Sequence, residues 1–219
     1  MKPRLLFAHG WALDRTLWDK VLDLLGPIAE GAQVLDAGYW GRPARPGPAE
    51  AAPVLGVGQS LGGLQLLTQP TSPLAGLVTI DGFARFAAGP DFPLGQSLAG
   101  LRRMAGRLAR EPDRLLAEFM DTALPGAAPP AGAPDLGALA VGLDQLRARD
   151  GRAAAGRLPI WRLHASGDPI APLEMADASF AGADVRARRV RDAADHLSPI
   201  SAPEACADLI RQALRALSA

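Results

Sequence analysis

The chain has 219 residues, of which 48% are hydrophobic and 21% are charged, and its 23 basic side chains equal its 23 acidic ones. This composition is typical of a folded globular protein and excludes an intrinsically disordered chain. The length predicts one domain with a sizeable core and room for an inserted subdomain. A formal net charge of zero argues against a surface that coats nucleic acid, because phosphate binding needs a clustered excess of basic side chains.

Cysteine usage and the first residues bear on the cellular compartment. Cys206 is the only cysteine, so the chain cannot form an internal disulfide or a cysteine-based zinc site. The positive start at Lys2 and Arg4 is followed by an apolar run that stops at Ala8, far shorter than a signal peptide or a membrane span. We therefore expect a cytoplasmic protein with no metal, no membrane partner and no nucleic-acid partner.

Short apolar runs alternate with helical stretches along most of the chain. The runs cover residues 5–8, 34–36, 54–57, 77–80 and 160–163, with a weaker one at 185–190. Apolar residues at helical spacing predict helices over 16–25, 61–68 and 203–217, and the Pro- and Ala-rich residues 42–53 predict a surface loop. This alternation is typical of an α/β protein with a mostly parallel sheet of about six strands flanked by helices.

The alternation stops after Ile80. Between residues 82 and 158 there is no clear strand run, and helical periodicity over 98–120 and 136–149 surrounds a Pro-, Gly- and Ala-rich loop at 125–134. We therefore predict that residues 1–81 and 159–219 form the core, with residues 82–158 inserted as a helical lid.

The sequence Gly58-Gln59-Ser60-Leu61-Gly62-Gly63 directly follows the third apolar run and opens a predicted helix. A strand that turns sharply into a helix at G-x-S-x-G exposes the serine hydroxyl at the carboxyl edge of the sheet, and the flanking glycines avoid clashes in the turn. A capping serine in an ordinary strand-to-helix turn is the alternative. The strand before it and the helix after it favour Ser60 as a nucleophile.

A serine nucleophile needs a base, and the chain has 3 histidines. His196 lies after the last weak strand and before the closing helix, and we predict that it is the base. His9 and His164 lie at strand ends, where we expect structural roles.

The base in turn needs an acidic partner that fixes its tautomer. Asp168, in the loop after the strand at 160–163, is the first candidate, because serine, acid and histidine then follow successive strands. Asp81, directly after Ile80, and Asp195 remain alternatives.

An oxyanion formed at the serine needs two fixed donors. One is expected from the residue after the nucleophile and the other from the loop after the first strand, so we predict the backbone amides of Leu61 and Trp11. The indole of Trp11 is also a candidate for lining an acyl pocket.

Four motifs in this order resemble the α/β-hydrolase superfamily over nearly the whole chain. They are HGW at 9–11, GQSLGG at 58–63, SGDPIAP at 166–172 and DHLSP at 195–199. The resemblance implies the α/β-hydrolase fold, with a helical lid after the strand that ends at Ile80, and a hydrolase activity that uses Ser60, Asp168 and His196.

Within that superfamily the chain is most similar to the pimeloyl-acyl-carrier-protein methyl ester esterases of biotin synthesis. The likeness lies in the HGW motif, the nearby Trp18 and the S-L-G-G turn at Ser60. It implies a substrate-contacting stretch of the lid, whose counterpart here contains Phe119, Met120 and Ala123. Gln59 stands where that family commonly has an aromatic residue, so we expect Gln59 to shape the acyl pocket.

The same resemblance implies an acidic acyl carrier protein that docks on arginines of the lid. With helical periodicity over 98–120, four arginines share one face by their spacing: Arg103, Arg107, Arg110 and Arg114. Such a face is suited to an acidic partner or a phosphate. A solvated helix face is the alternative.

These features predict a serine carboxylesterase that needs no metal or organic cofactor, and the resemblance implies a carrier-bound pimeloyl methyl ester as its substrate. A general short-chain esterase, a lactonase and a C–C bond hydrolase are alternatives, because the same three residues serve all of them. A non-catalytic ligand-binding protein of the same fold is an alternative from a different functional class.

Overall fold

A computed structural model describes residues 3–45, 47, 53–70 and 73–218 of the chain. Its sheet has six strands in the order β2-β1-β3-β4-β5-β6, and every neighbouring pair is parallel. The strands are β1 (Arg4–Ala8), β2 (Gln33–Leu35), β3 (Val54–Gln59), β4 (Leu74–Ile80), β5 (Pro159–Ala165) and β6 (Asp184–Arg191). All six predicted strands are confirmed, although several of their ends shift by a few residues.

Helices and short turns connect these strands. The α-helices are α1 (Asp19–Leu25), α2 (Leu61–Thr68), α3 (Leu98–Arg110), α4 (Pro112–Ala123), α5 (Leu136–Ala148), α6 (Arg152–Ala155), α7 (Leu173–Ser179), α8 (Ser198–Ser201) and α9 (Pro203–Ser218). The predicted helix over 16–25 divides into a 3₁₀ turn, Arg15–Trp18, followed by α1. The sequence pattern does not predict α6, α7 or α8.

The sheet is covered on both faces because alternate side chains of its strands point to opposite sides. Leu5 and Phe7 pack in one cluster with residues of α1 and α9, whereas Leu6 and Ala8 pack in another with residues of α2. Strand β6 lies at the edge, where alternate residues are exposed.

Strand β1 lies between β2 and β3 in the sheet. The chain passes from β1 to β2 on one side and then crosses back to β3 on the other side. In open α/β sheets, ligands bind outside the carboxyl ends of the strands at such a reversal. The loops after β1 and β3 lie at this reversal, and they contain Trp11 and Ser60.

Four helices, α3 to α6, lie between β4 and β5, within the segment predicted as a lid. The predicted single helical stretch over 98–120 is wrong in one respect, because α3 ends at Arg110 and α4 begins at Pro112. Proline has no backbone N–H and clashes with the preceding turn, so it begins a helix but cannot lie inside one. The predicted loop at 125–134 contains no helix or strand.

The predicted surface loop and the start of the chain lie partly outside the described residues. In the predicted surface loop at 42–53, residues 46 and 48–52 lie outside them, and Arg42 and Arg45 are exposed. The first two residues also lie outside. No helix in the described ranges is long and apolar enough to cross a membrane.

Gly62 lets α2 lie directly against β1. A Cβ atom at this position would overlap the carbonyl oxygen of Ala8 and crowd that of His9, and both are backbone atoms that cannot move alone. We expect Gly62→Ala to lower the free energy of unfolding by about 3 kcal/mol, which is at the upper end of overpacking costs. Urea unfolding measures this change.

Gly106→Ala is the matched control, because its Cβ in α3 would meet only the end of the Arg110 side chain. Alanine favours a helix over glycine by about 1 kcal/mol, so this variant should be unchanged or more stable. Equal destabilisation by the two substitutions would contradict the close approach of α2 to β1.

Candidate active site

Ser60 lies on the sharp turn between β3 and α2. Its φ of 51° and ψ of −123° are strained for a residue with a side chain. The turn is held because the Ser60 amide donates to the Ile80 carbonyl at 3.1 Å and the Gly63 amide donates to the Ser60 carbonyl at 3.1 Å. This geometry is that of the predicted nucleophile elbow.

The structure brings the three predicted catalytic side chains into one hydrogen-bonded chain. Nε2 of His196 lies 2.8 Å from Oγ of Ser60, and Nδ1 of His196 lies 2.6 Å from Oδ2 of Asp168. A carboxylate only accepts, so Nδ1 carries the proton and Nε2 is free to accept from the serine hydroxyl. All three side chains are buried.

Asp168 is fixed by the loop that follows β5. Its Oδ1 accepts from the amides of Ile170 at 2.9 Å and Ala171 at 2.8 Å, which leaves Oδ2 for His196. His164 donates from Nε2 to the Ala171 carbonyl at 2.7 Å, and burial lowers the pKa of its imidazole. His164 therefore supports the loop as a neutral side chain.

The two alternative acids do not touch the imidazole. Asp81 accepts from Ser198 and from the Ala165 amide, and Asp195 accepts from Arg191 and from the Leu197 amide. Among the three candidates, the geometry favours Asp168.

Three nearby carboxylates raise the pKa of the His196 imidazole. Burial alone would lower the pKa of its imidazole, but the hydrogen bond and charge of Asp168, with smaller effects of Asp81 and Asp195, raise that pKa above its usual value. The surroundings therefore favour the protonated form of His196.

The backbone of His196 is held on both sides, which sequence analysis missed. Its amide donates to the Ala123 carbonyl at the end of α4 at 2.7 Å, and its carbonyl accepts from Nε2 of Gln59 at 2.8 Å. Gln59 directly precedes Ser60, so one residue links the Ser60 turn to His196. No sequence signal marks the Ala123 contact, because a backbone carbonyl makes it.

These contacts correct part of the predicted substrate-binding set. Gln59, Met120 and Ala123 are buried and do not line the cavity at Ser60. Met120 and Ala123 pack in the core cluster that contains residues of α9. Trp11 and Phe119 do line the cavity, and their rings meet edge to face with centroids 4.9 Å apart.

The loop after β1 lies directly on the nucleophile turn. A Cβ atom at Gly10 would overlap Oε1 of Gln59 and crowd Cβ of Ser60, so the glycine allows this close approach. The indole of Trp11 donates to the Leu139 carbonyl of α5 at 2.8 Å. Within the described residues the Trp11 and Leu61 backbone amides donate to no acceptor, as oxyanion donors require.

His9 holds the start of this loop. Its Nδ1 donates to the Gly10 carbonyl at 2.9 Å, and its Nε2 accepts from the Ala37 amide at 3.1 Å. Both ring nitrogens are therefore used in support of the backbone, as the predicted structural role requires.

Ser60 opens into a mainly apolar cavity of about 200 Å³. Its wall includes side chains that sequence analysis did not single out: Phe86, Leu101, Met104, Leu146 and Ile170. A second cavity of about 300 Å³, here called the outer cavity, shares Met104, Phe119 and Ile170 with the first. Charged residues Arg103, Arg107 and Glu118 line the outer cavity.

The predicted four-arginine face does not form. Arg114 belongs to α4, whereas Arg103, Arg107 and Arg110 belong to α3. Arg107 and Arg114 both pair with Glu111 and Glu118, so much of their charge is neutralised. Within the described part of the chain, Arg103 and Arg110 form no ion pair.

Asp81, His164 and Asp168 offer ligand atoms within 4.8 Å of one another. Their hydrogen bonds do not suit a metal, because Nε2 of His164 donates its proton to a carbonyl and both oxygens of Asp168 accept from other groups. The contacts of this cluster support the loops that contain Asp168 and His196, and they do not suit metal binding.

No protein-family model matches this sequence, and no curated protein is significantly similar to it. Solved structures do match. A thermophilic esterase from Thermogutta terrifontis is 24% identical with a TM-score of 0.74, covering 98% of this chain and 90% of its own. An esterase from Exiguobacterium antarcticum is 14% identical with a TM-score of 0.76, covering 98% and 93%.

An enol-lactonase from Burkholderia xenovorans is 16% identical with a TM-score of 0.73, covering 97% of this chain and 91% of its own. These likenesses extend over almost the whole chain, and they agree with the parallel sheet and the serine turn after β3. The chain has the α/β-hydrolase fold.

Proposed function

We propose that the chain is a serine carboxylic ester hydrolase. The observation that carries this proposal is the hydrogen-bonded chain Ser60–His196–Asp168, which ends at the floor of a mainly apolar cavity. A nucleophile, a base and an acid that fixes the base's tautomer are what acyl transfer to serine requires.

The proposed reaction has two halves. Oγ of Ser60 bonds to the ester carbonyl carbon while Nε2 of His196 takes the hydroxyl proton, and that proton then goes to the leaving alcohol as its C–O bond breaks. Water attacks the resulting acyl-serine by the same route, giving the acid and free Ser60. The amides of Trp11 and Leu61 are the proposed donors to the oxyanion in both halves.

The structurally similar proteins support hydrolysis of an ester bond, since they include two esterases and an enol-lactonase. The main test is covalent labelling by a fluorophosphonate, with the modified peptide located by mass spectrometry, beside hydrolysis of a p-nitrophenyl ester series. We expect label on Ser60 and cleavage of the esters. A protein that takes up no label is a ligand-binding member of the fold, and one labelled but inert to esters points to C–C bond hydrolysis.

For the natural substrate we propose the methyl ester of a pimeloyl chain attached to an acyl carrier protein, in biotin synthesis. The cavity at Ser60 is smaller than the roughly 300–1,000 Å³ of pockets that hold drug-sized ligands, so its volume suits an acyl chain alone. The outer cavity then receives the rest of the substrate beside Arg103, whose positive charge is unpaired within the described residues and suits a phosphate or an acidic carrier.

Charge reversal at Arg103 tests this substrate. We expect Arg103→Glu to lower kcat/KM for carrier-bound pimeloyl methyl ester about tenfold, which corresponds to losing one charge-assisted contact. Activity on p-nitrophenyl acetate should not change. The matched control is Arg102→Glu, because Arg102 is exposed on the same helix but does not line the outer cavity. Equal effects of the two variants would contradict the proposed role of the outer cavity.

A further inference from the structure

A buried carboxylate that the proposed reaction does not use lies next to the connection between β6 and α8, here called the His196 loop. Asp81 directly follows β4, has no exposed surface and adopts a positive φ of 46°. Its amide donates to the Leu163 carbonyl of β5 at 2.9 Å. A buried charge and a strained backbone both cost folding free energy, so a compensating interaction is expected at this position.

Three hydrogen bonds converge on the Asp81 carboxylate. Its Oδ2 accepts from the Ser198 amide at 2.8 Å, and its Oδ1 accepts from the Ser198 hydroxyl at 2.9 Å and from the Ala165 amide at 3.3 Å. Ser198 lies two residues after His196. The carboxylate therefore fastens the His196 loop to the ends of β4 and β5.

The direction of the Ser198 hydroxyl is fixed by Arg191 of β6. Nε of Arg191 donates to Oγ of Ser198 at 2.8 Å, so the serine proton points to Asp81. Arg191 also pairs with Asp195, directly before His196. The loop is thus held on both sides of the histidine by one connected network.

Asp81 is also close to the proposed catalytic charges, since it, His164 and Asp168 offer ligand atoms within 4.8 Å of one another. Burial raises the pKa of the Asp81 carboxyl, and the charge of Asp168 raises it further, whereas His196, His164 and the Ser198 hydrogen bond oppose the rise. The titratable or charged groups around His196 and Asp81 come from β5, β6, α9 and their loops. They are His164, Asp168, Arg191, Asp195 and Cys206.

We propose that Asp81 is a positioning residue for His196, which fixes the loop through Ser198 and places a second buried negative charge near the imidazolium formed during the reaction. This inference rests on the proposed function. Asp81 takes no proton from the substrate or from Ser60. It acts through the position and charge of the base.

Asp81→Asn removes the charge and keeps the side-chain shape. Loss of a negative charge near His196 lowers the pKa of the imidazole, so the acid limb of the kcat/KM profile should move to lower pH. We expect kcat to fall at least tenfold with KM changed less than threefold. Because the chain has 3 histidines, NMR titration of the His196 ring in both proteins gives the same pKa without any activity measurement.

Ser198→Ala is the second variant, and it covers the case in which Asp81→Asn does not fold. It keeps the Asp81 charge and the Ser198 amide bond, so kcat should fall severalfold while the His196 titration stays close to that of the wild type. Ser179→Ala is the control, because Ser179 is also buried and its hydroxyl bonds to the Ala84 amide and the Ala176 carbonyl, neither of which belongs to the network of Asp81, Ser198 and Arg191. It should lower thermal stability without changing kcat or the acid limb.

The outcomes separate this inference from the proposed function. An unchanged His196 titration in folded Asp81→Asn, or a kcat of Ser198→Ala within twofold of wild type, overturns the positioning role. Absence of Ser60-dependent hydrolysis in the wild type overturns the proposed function, and the NMR titration still decides whether Asp81 sets the charge of His196.

Discussion

Ser60→Ala is expected to lower kcat for p-nitrophenyl butyrate by about 10⁴-fold or more while the protein stays folded. The substitution removes the only atom that bonds to the acyl carbon, and neither the imidazole nor the oxyanion donors replace it. The positive φ at this position is equally strained for serine and alanine, so the melting temperature should change little. Steady-state kinetics and near-ultraviolet circular dichroism measure the two effects.

Ser166→Ala is the control for this experiment, because Ser166 is exposed in the loop after β5. Among the described residues its hydroxyl bonds only to Asp192, at 3.4 Å. It should retain full activity. If Ser60→Ala keeps more than a tenth of the wild-type rate, Ser60 is not the nucleophile and the proposed mechanism is wrong.

Asp168→Asn is expected to lower kcat by about 10⁴-fold with little change in fold. The asparagine oxygen can still accept from the amides of Ile170 and Ala171, which places its NH₂ group against Nδ1 of His196. An NH₂ group donates, so Nδ1 must accept and the proton moves to Nε2. In that tautomer Nε2 cannot take the proton of Ser60.

The fluorophosphonate labelling rate should fall in parallel with kcat, because both depend on deprotonation of Ser60. Asp192→Asn is the control, since Asp192 is exposed and lies outside the hydrogen-bonded chain. A similar loss in Asp81→Asn but not in Asp168→Asn would show instead that Asp81 is the acid, an alternative that the sequence left open.

Local patterns in the sequence were enough for the sheet and the nucleophile turn. Apolar runs predict the six strands because a parallel strand covered on both faces must be apolar throughout. The glycines around Ser60 predict the turn because Gly58 and Gly62 lie where a Cβ atom would overlap backbone atoms. Both signals depend on residues close in sequence or on backbone geometry alone.

The helices between β4 and β5 were predicted less well. Periodicity continued from Leu98 to Met120 because helical spacing of apolar residues is preserved across Pro112. The break there moved Arg114 to a second helix and removed the expected arginine face. The ion pairs of Arg107 with Glu111 and Glu118 could not be predicted from the sequence pattern either, since they depend on how α3 and α4 pack.

Local sequence patterns were sufficient to predict the six strands, the sharp turn at Ser60 and a short set of candidate histidines and acids, because strands and tight turns follow from local backbone rules. The pairing of these groups became clear only from the packing of the folded chain. Asp168 bonds to His196, Asp81 bonds to Ser198, and Ala123 and Gln59 bond to the backbone of His196. The physical reason is that these contacts join segments far apart in the chain, with atoms placed by the packing of several elements together.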